Sequence, residues 1–371
     1  MLNLDFFMKN ITFFLLFCST ICMAQTYHFP EESGIHEGTW LQWPHHYQHG
    51  VTYRNRVEQT WIDMTRELRK NEKVHIIAYN ETEKNRIIIV LEKAKVPLTN
   101  IDFKIYKTDD VWVRDNGPIF VKDQDGKLLI EDWGFNGWGE KFDFENCDQI
   151  PSKIAKDLGV EVIDLNEEMV NEGGSVETDG NGVLMACKSS VISQKKDATR
   201  TKGITQEEAE EMFEKYYGVS KVIWLDGVTG LDVTDFHIDG FMKFVNHNTM
   251  LTMKEDDLLE MGMSEKDVET LYSATNVDGK EYKKVYVPAT KNKVKTAYGN
   301  QLEEYGSYVN FYVANGVVLV PNYGDVNDKI ANAIIQKQYP KRKVIGIDVR
   351  NLYENGGMIH CVTQQQPAGK F

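Results

Sequence analysis

Residues 310–320 read NFYVANGVVLV, and this stretch has the form of one complete β-hairpin. A polar residue, Asn310, comes first, an apolar run follows, and a second apolar run returns after the Asn315-Gly316 dipeptide. Asn-Gly is a favoured hairpin turn because both residues tolerate positive φ. A polar residue, a strand, a turn and a second strand also occur in this order elsewhere in the chain. We therefore interpret the pattern as the building unit of the fold.

Four further positions begin a similar unit. Asp115, Glu172 and Asp239 each come before a short apolar run, a turn and a second apolar run. Cys361 follows a Gly-Gly strand that resembles the one after Glu172. With Asn310 included, the spacings are 57, 67, 71 and 51 residues. Five units of this length indicate a closed, propeller-like array with one marker residue per unit at a common centre. The alternative is an ordinary doubly wound sheet with coincidental hairpins.

Helical and strand-like patterns alternate between these hairpins. Val57, Trp61, Met64 and Leu68 recur at helical spacing and precede the strand-like run 74–78. The same order of helix and strand is predicted for 83–94 and 101–106, for 207–217 and 222–225, and for 328–338 and 344–347. Such alternation is typical of α/β proteins.

The beginning of the chain has the features of a secretory signal peptide. Lys9 is followed by an almost uninterrupted apolar run over residues 11–23, and the small Ala24 marks a plausible cleavage position. The run is short for a membrane span, and no later segment is apolar enough to cross a bilayer. We expect export to the periplasm or the medium after removal of residues 1–24. A buried N-terminal helix and lipidation of Cys22 are the alternatives.

The charge and length of the chain limit its partners and organisation. Its 371 residues carry a formal net charge of −14 at pH 7, which disfavours nucleic acid and anionic membranes and suits a cationic substrate. No linker rich in Pro, Gly or Ser divides the chain, although its length would permit two domains. We expect a single catalytic domain over residues 25–371. The oligomeric state is not predicted.

Cys361 and His237 are the candidate reactive groups. The mature chain has three cysteines, so at least one thiol is unpaired unless the chain dimerises through it. His237 and Asp239 are two residues apart, which on a strand would place both side chains on one face. A neighbouring carboxylate raises the pKa of an imidazole and suits it to acid and base catalysis. A structural His–Asp pair, a metal site and an inert buried cysteine are the alternatives.

The three marker carboxylates indicate what kind of substrate such a thiol would attack. Asp115, Glu172 and Asp239 would raise the pKa of a nearby thiol, so a positive charge must arrive with the substrate. A guanidinium group is permanently charged, and its planar fork matches carboxylates bidentately. If these residues converge, the sequence favours a cationic guanidine substrate over an amide or a phosphate.

Six motifs, in this order, resemble the agmatine deiminase family of the guanidino-group modifying superfamily, which includes the Porphyromonas-type peptidyl-arginine deiminases. They cover the chain from about Phe29 to Pro367. The motifs are WVRDNGP at 112–118, DWGFNGWG at 132–139, EGGS at 172–175, DFHID at 235–239, SYVNFY at 307–312 and IHCVTQQQP at 359–367.

The resemblance implies a five-bladed α/β propeller and neither a metal nor an organic cofactor. It also implies that Cys361 is the nucleophile and His237 the acid and base. The guanidinium would bind Asp115, Glu172 and Asp239, with Asn310 and Trp112 lining the pocket. The aromatic loop 133–139 is expected either to wall the pocket or to pack on itself.

The sequence leaves the substrate open. Hydrolysis of agmatine to its N-carbamoyl product and ammonia is the first hypothesis, and deimination of arginine in exported peptides or proteins is the second. The second is motivated by the signal peptide and by the motif WxRDxGP at 112–118. Departures from agmatine deiminases at Asn116, at Met358 and over residues 193–201 count against agmatine as the substrate. A protein that binds guanidines without turning them over is the third.

Overall fold

The computed structural model describes residues 27–370, so the predicted signal peptide lies outside the described residues. Sixteen strands in this range form five small sheets, one with four strands and four with three. In chain order they are β1 (His36–Gln42), β2 (Lys73–Ala78), β3 (Ile101–Ile105), β4 (Ile119–Lys122), β5 (Leu128–Gly134), β6 (Val162–Val170), β7 (Val176–Thr178), β8 (Val183–Cys187), β9 (Lys221–Leu225), β10 (Met242–Asn246), β11 (Thr249–Thr252), β12 (Lys283–Tyr286), β13 (Tyr312–Ala314), β14 (Val317–Asn322), β15 (Lys343–Asp348) and β16 (Gln364–Pro367).

Helices connect the strands and make this a mixed α/β fold. They are α1 (His46–Leu68), α2 (Glu81–Lys93), α3 (Val113–Asn116), α4 (Gly137–Glu140), α5 (Ile150–Leu158), α6 (Lys188–Val191), α7 (Gln206–Tyr217), α8 (Glu255–Glu260), α9 (Glu265–Tyr272), α10 (Asp328–Gln338) and α11 (Arg350–Tyr353). Three short 3-10 helices cover Gly173–Ser175, Ile238–Gly240 and His360–Val362.

The four three-stranded sheets share one topology. Two antiparallel strands form the predicted hairpin, and a third strand pairs in parallel with the second after a helical connection. Parallel neighbours require such a crossover, whereas antiparallel neighbours need only a turn. These sheets are β4-β5-β6, β7-β8-β9, β10-β11-β12 and β13-β14-β15.

The fifth sheet combines distant parts of the chain. Strand β16 pairs antiparallel with β1, and β2 and β3 follow in parallel through α1 and α2. The β16–β1 pair therefore takes the place of the hairpin in the other sheets. The pairing brings His360 and Cys361, which come just before β16, to the same end of the sheet as the start of a hairpin in the other units.

The predicted helical and strand pattern is confirmed where apolar spacing was clear. Helix α1 buries Val57, Trp61, Met64 and Leu68, the residues whose spacing predicted it. They join a large apolar cluster that includes side chains from β2, β14 and α10. Burying each large apolar side chain contributes about 1.5–3 kcal/mol, so helix packing rather than local propensity stabilises these elements.

Two local predictions about the candidate site were wrong. His237 and Asp239 do not lie on a strand, because Ile238–Gly240 is a 3-10 helix and His237 immediately precedes it. Cys361 likewise lies within the 3-10 helix His360–Val362 and not at the end of a Gly-Gly strand. A tight helical turn before the first strand aims these polar side chains inward, which period-2 alternation alone could not show. Within residues 27–370, none of the helices is both long and apolar enough to cross a membrane.

Candidate active site

The sequence-predicted residues converge beside one cavity. Cys361, His237, Asp239 and Trp112 line a cavity of about 1080 Å³, and Asn310, Glu172 and Asp115 lie against them. Each marker residue comes just before the first strand of its hairpin, or before β16 in the fifth sheet. The equivalent ends of five sheets thus supply one polar side chain each to the same place.

Cys361 is held between an amide and a carboxylate. Asn310 Nδ2 donates to Cys361 Sγ at 3.3 Å, and Asp239 Oδ2 lies 3.9 Å from Sγ. Burial raises the pKa of the Cys361 thiol well above its usual range, and Asp239 and Asp115 raise it further. The thiol is therefore protonated when the cavity holds no cation. The sequence predicted this direction, because the marker carboxylates were expected to raise the pKa of a nearby thiol.

His237 makes a close hydrogen bond to Glu172 and faces Asp115. Its Nε2 lies 2.7 Å from Glu172 Oε2, and its Nδ1 lies 3.6 Å from Asp115 Oδ1. Burial opposes protonation of the ring, but Asp115, Glu172 and Asp239 outweigh it and raise the pKa of His237 to about 9. At neutral pH His237 is an imidazolium that can give a proton to a leaving group.

Asp115 and Asp239 are buried carboxylates with different environments. Trp138 Nε1 donates to Asp115 Oδ2 at 3.0 Å, and the Gly174 amide donates to Asp115 Oδ1 at 3.1 Å. Burial, with help from Glu172 and Asp239, raises the pKa of Asp115 to about 6. His360 Nδ1 lies 2.7 Å from Asp239 Oδ2. Burial would raise the pKa of Asp239, but the His360 contact and the charge of His237 hold it below its usual value.

Glu172 has a different environment from the one its predicted role suggested. Arg200 Nε donates to Glu172 Oε1 at 2.6 Å and Arg200 Nη2 donates to Oε2 at 3.2 Å, while Oε2 also faces His237. Arg200 and His237 overcome burial and lower the pKa of Glu172. The guanidinium of Arg200 already occupies both oxygens of this carboxylate, whereas the resemblance implied that Glu172 binds the guanidinium of the substrate.

Sequence reasoning missed three residues of this site, Arg200, Glu32 and His360, and named a fourth, Trp138, only as part of the aromatic loop 133–139. Arg200 carried no signal beyond being the one arginine in the polar segment 193–201, and Glu32 lies far from every motif. His360 immediately precedes Cys361, and that position beside the predicted nucleophile was the one signal for its contact with the marker carboxylate Asp239. Trp138 belongs to the aromatic loop, and it does wall the cavity while donating to Asp115.

Trp112 is positioned by a glycine. A Cβ atom on Gly357 would lie 2.3 Å from the Trp112 ring, so the indole ring rests directly on the backbone before Cys361. Trp112 lines the cavity beside Met358 and Cys361. A flat aromatic face at this place can stack on a planar cation or on its alkyl chain.

The cavity is strongly acidic. Within the described chain its lining includes one lysine, Lys293, no arginine, and eight carboxylates besides Asp239: Asp109, Asp110, Asp143, Asp232, Glu260, Glu303, Glu304 and Glu354. The described residues contain no group of three or more His, Cys, Asp or Glu side chains that could hold a metal ion. The lining therefore favours cations over anions as ligands.

These features define a family of hydrolases that act on C–N bonds. A family model described as Porphyromonas-type peptidyl-arginine deiminase matches residues 28–367, and the chain belongs to this family. A relative from Selenomonas ruminantium named "Putative agmatine deiminase" is 31% identical over 367 residues, which are 93% of this chain and 97% of the relative.

Solved structures agree with this assignment. The "Putative Arginine Deiminase from Porphyromonas gingivalis" has a TM-score of 0.78 and 28% identity over 92% of this chain and 98% of its own. The agmatine deiminase of Enterococcus faecalis shares the fold, with a TM-score of 0.78 and 24% identity over 92% of this chain and 96% of its own.

Proposed function

We propose that the protein hydrolyses agmatine to N-carbamoylputrescine and ammonia through a covalent intermediate on Cys361. The observation that carries this proposal is the convergence of Cys361, His237, Asp115 and Asp239 at one acidic cavity. The 31% identical relative named for agmatine deiminase supports the substrate. No cofactor enters the proposed reaction.

The substrate itself activates the nucleophile. A guanidinium held by Asp115 and Asp239 brings a positive charge beside Cys361, which offsets the two carboxylates that raise the pKa of the thiol. The thiol then loses its proton to solvent, and the thiolate faces the guanidinium carbon. Asn310 donates to the sulfur and fixes its direction. Glu172 keeps the His237 ring in place for the departing nitrogen.

The reaction proceeds in two displacements. The Cys361 sulfur bonds to the guanidinium carbon, His237 gives its proton to one nitrogen, and ammonia leaves a thiouronium attached to the enzyme. Neutral His237 then takes a proton from water, and the hydroxide adds to the same carbon. The C–S bond breaks, and the hydroxyl proton is released as the carbonyl forms. A positioned acid and base of this kind contributes about 10²–10⁴-fold to the rate.

The lining favours agmatine over free arginine. Agmatine carries an ammonium group alone at its far end, whereas free arginine carries both an ammonium and a carboxylate there. The lining carboxylates attract the ammonium of either ligand but repel the carboxylate of arginine, and Lys293, the one lysine of the lining, is already 2.9 Å from Glu303. Like-charge contacts of this kind are an effective means of rejecting a wrong ligand.

A second candidate is deimination of arginine in a peptide, and the mouth of the cavity favours it. Four large apolar side chains are exposed there: Tyr47, Phe142, Leu231 and Val233. The cavity is also large for a single small guanidine. Exposed apolar side chains beside a cleft are typical of surfaces that bind larger partners.

Ammonia release from agmatine, free arginine and arginyl peptides separates the candidates. We expect turnover of agmatine, with weak or no turnover of arginine, and a severe loss in Cys361→Ser and His237→Ala. Turnover of arginyl peptides but not agmatine would establish the second candidate. Calorimetric binding of agmatine without ammonia release would instead support a binding protein, and full activity of Cys361→Ser would exclude the covalent mechanism.

We also propose that the five sheets are blades of one propeller-like catalytic domain over residues 25–371. The supporting observation is Glu32, whose carboxylate contacts Arg114, Lys243, Val313 and His360 from four different sheet units. A common centre explains how one side chain reaches all four. Limited proteolysis should then yield no stable fragment smaller than this domain.

Export remains a proposal that rests on the sequence. We propose that residues 1–24 are removed as a signal peptide and that the enzyme acts outside the cytoplasm. Mass spectrometry of the protein recovered from the periplasm or medium tests this, and an N-terminus near Gln25 is expected. Recovery of the intact chain from the cytoplasm would contradict it.

A further inference from the structure

Arg200 is the most completely bonded side chain of the site. It lies in the segment between α6 and α7, is 4% exposed, and uses every N–H of its guanidinium. Besides its two bonds to Glu172, it donates from Nη1 to Asp235 Oδ2 at 2.7 Å and to the Ala198 carbonyl at 3.1 Å, and from Nη2 to the Thr234 carbonyl at 2.8 Å. Arginine has five donors, so none is left for solvent or substrate.

The backbone turn that Arg200 binds, over residues 234–236, is strained. Asp235 and Phe236 have φ of 60° and 80°, which places two consecutive non-glycine residues in the left-handed region immediately before His237. Side chains with a Cβ rarely adopt this conformation, and it persists only where surrounding contacts enforce it. Lys141 Nζ also donates to Asp235 Oδ2 at 2.7 Å, and Ser189 Oγ donates to the Asp235 carbonyl at 2.6 Å.

Arg200 therefore holds both sides of the His237–Glu172 hydrogen bond. On one side it binds the Glu172 carboxylate bidentately. On the other side it binds Asp235 in the turn that immediately precedes His237. We propose that Arg200 is a positioning residue that sets the direction in which His237 gives and takes its proton. The proposal rests on the deiminase reaction proposed above, but not on the identity of its substrate.

Lysine cannot replace Arg200 in this role. Its single ammonium keeps the positive charge but cannot reach Glu172, Asp235 and two carbonyls with a planar fork. Arg200→Lys thus separates geometry from charge. We expect it to lower kcat for agmatine at least tenfold and to leave KM within about threefold, because Asp115 and Asp239 are unchanged.

A substrate with a better leaving group distinguishes positioning of His237 from a general loss of structure. In the S-methylisothiourea analogue of agmatine, the Cys361 sulfur displaces methanethiolate, which departs without needing a proton from His237. The same enzyme-bound thiouronium forms. We expect the burst of methanethiol to fall less than threefold in Arg200→Lys, while ammonia release from agmatine falls at least tenfold.

The controls make each outcome decisive. Lys196→Gln removes an exposed charge from the same segment and should match the wild type in both assays. Asp235→Asn weakens the contact of Arg200 with the turn and leaves the contact with Glu172 intact. We expect a smaller loss of ammonia release in this variant, again with little loss of methanethiol. It tests the proposal if Arg200→Lys does not fold. Equal losses of methanethiol and ammonia, or no loss of either, would overturn it. Failure of the wild type on every guanidine would refute the proposed function instead.

Discussion

His237 and Cys361 do not form an ion pair of imidazolium and thiolate in the free enzyme, because both groups are protonated. The thiol has a raised pKa and keeps its proton, while the imidazole has a pKa of about 9 and is also protonated at neutral pH. The free enzyme is thus ready to donate a proton but not to attack. In the proposed reaction a bound cation lowers the pKa of the thiol, so without substrate Cys361 should react slowly with other electrophiles.

These pKa values predict a bell-shaped dependence of kcat/KM on pH. As the pH falls through about 6, Asp115 gains a proton and loses the charge with which we propose that it binds guanidinium. As the pH rises through about 9, His237 loses the proton that ammonia needs to leave. The limbs of kcat/KM report the free enzyme, so they should lie near these values.

Asp115→Asn tests the assignment of the acidic limb. We expect a KM for agmatine at least tenfold higher and no acidic limb near pH 6, since the amide does not titrate. Butylguanidine lacks the primary amine and serves as the control for titration of the substrate. An unchanged acidic limb in Asp115→Asn would show that another group governs it.

At the level of elements, the 3-10 helix Gly173–Ser175 lies against the reacting groups. A Cβ atom at Gly174 would lie 2.7 Å from His237 Nδ1, 2.8 Å from Asp115 Oδ1 and 3.2 Å from Asp239 Oδ2. The Gly174 amide donates to Asp115. Glycine is required there because no side chain fits between the three groups, and not because of its φ.

Gly174→Ala should therefore reduce catalytic activity far more than it reduces the stability of the fold. We expect at least a hundredfold loss of kcat/KM for agmatine, because His237 and Asp115 must move apart. Gly240→Ala is the matched control. Gly240 lies in the equivalent 3-10 turn before β10, and a Cβ atom there would meet nothing within 4 Å. Near-normal activity of Gly174→Ala would mean that these side chains can rearrange without cost.

The elements also show where sequence reasoning succeeded and where it stopped. Long apolar periods predicted α1 and α10 with their following strands, and Asn315-Gly316 predicted the turn between β13 and β14. The marker residues pointed to the candidate site because four of them precede a hairpin and Cys361 precedes β16 at the equivalent end of the fifth sheet. The short 3-10 turns have no period to detect, and Arg200 reaches Glu172 through contacts that only the tertiary fold creates.

For the molecule as a whole, Glu32 links the parts of the fold. Its Oε2 lies 2.7 Å from His360 Nε2, 3.3 Å from Lys243 Nζ and 3.4 Å from Arg114 Nη2, and its Oε1 accepts from the Val313 amide at 2.8 Å. Contacts with Lys243, His360 and Arg114 hold the pKa of Glu32 well below its usual value, although burial opposes them. Removing one partner of a buried charge cluster leaves the others uncompensated.

Glu32→Ala should consequently lower the free energy of unfolding by about 3–5 kcal/mol, as expected when a buried charge loses its partner. Urea denaturation monitored by tryptophan fluorescence measures this change. Glu31→Ala is the neighbouring control, because Glu31 is exposed and its loss should change stability by less than about 0.5 kcal/mol. A similar small effect for Glu32→Ala would show that the four units do not depend on this contact.

The acidity of the whole chain and of its cavity predicts how substrate capture responds to salt. The net charge is −14, and the cavity is lined by eight carboxylates besides Asp239. Raising the ionic strength from about 0.1 M to 1 M shortens the Debye length from about 10 Å to 3 Å and screens this field.

We expect kcat/KM for the dication agmatine to fall about three- to tenfold over this range, and that for the monocation butylguanidine to fall less. Asp143→Asn combined with Glu260→Gln removes two exposed charges of the lining and should raise KM for agmatine at low salt while kcat is unchanged. Glu92→Gln combined with Glu269→Gln removes the same charge outside the cavity lining and should leave KM nearly unaltered. If both pairs changed KM equally, the net charge of the molecule and not the lining would govern capture. If salt affected both substrates equally, the second cation of agmatine would make no use of these carboxylates.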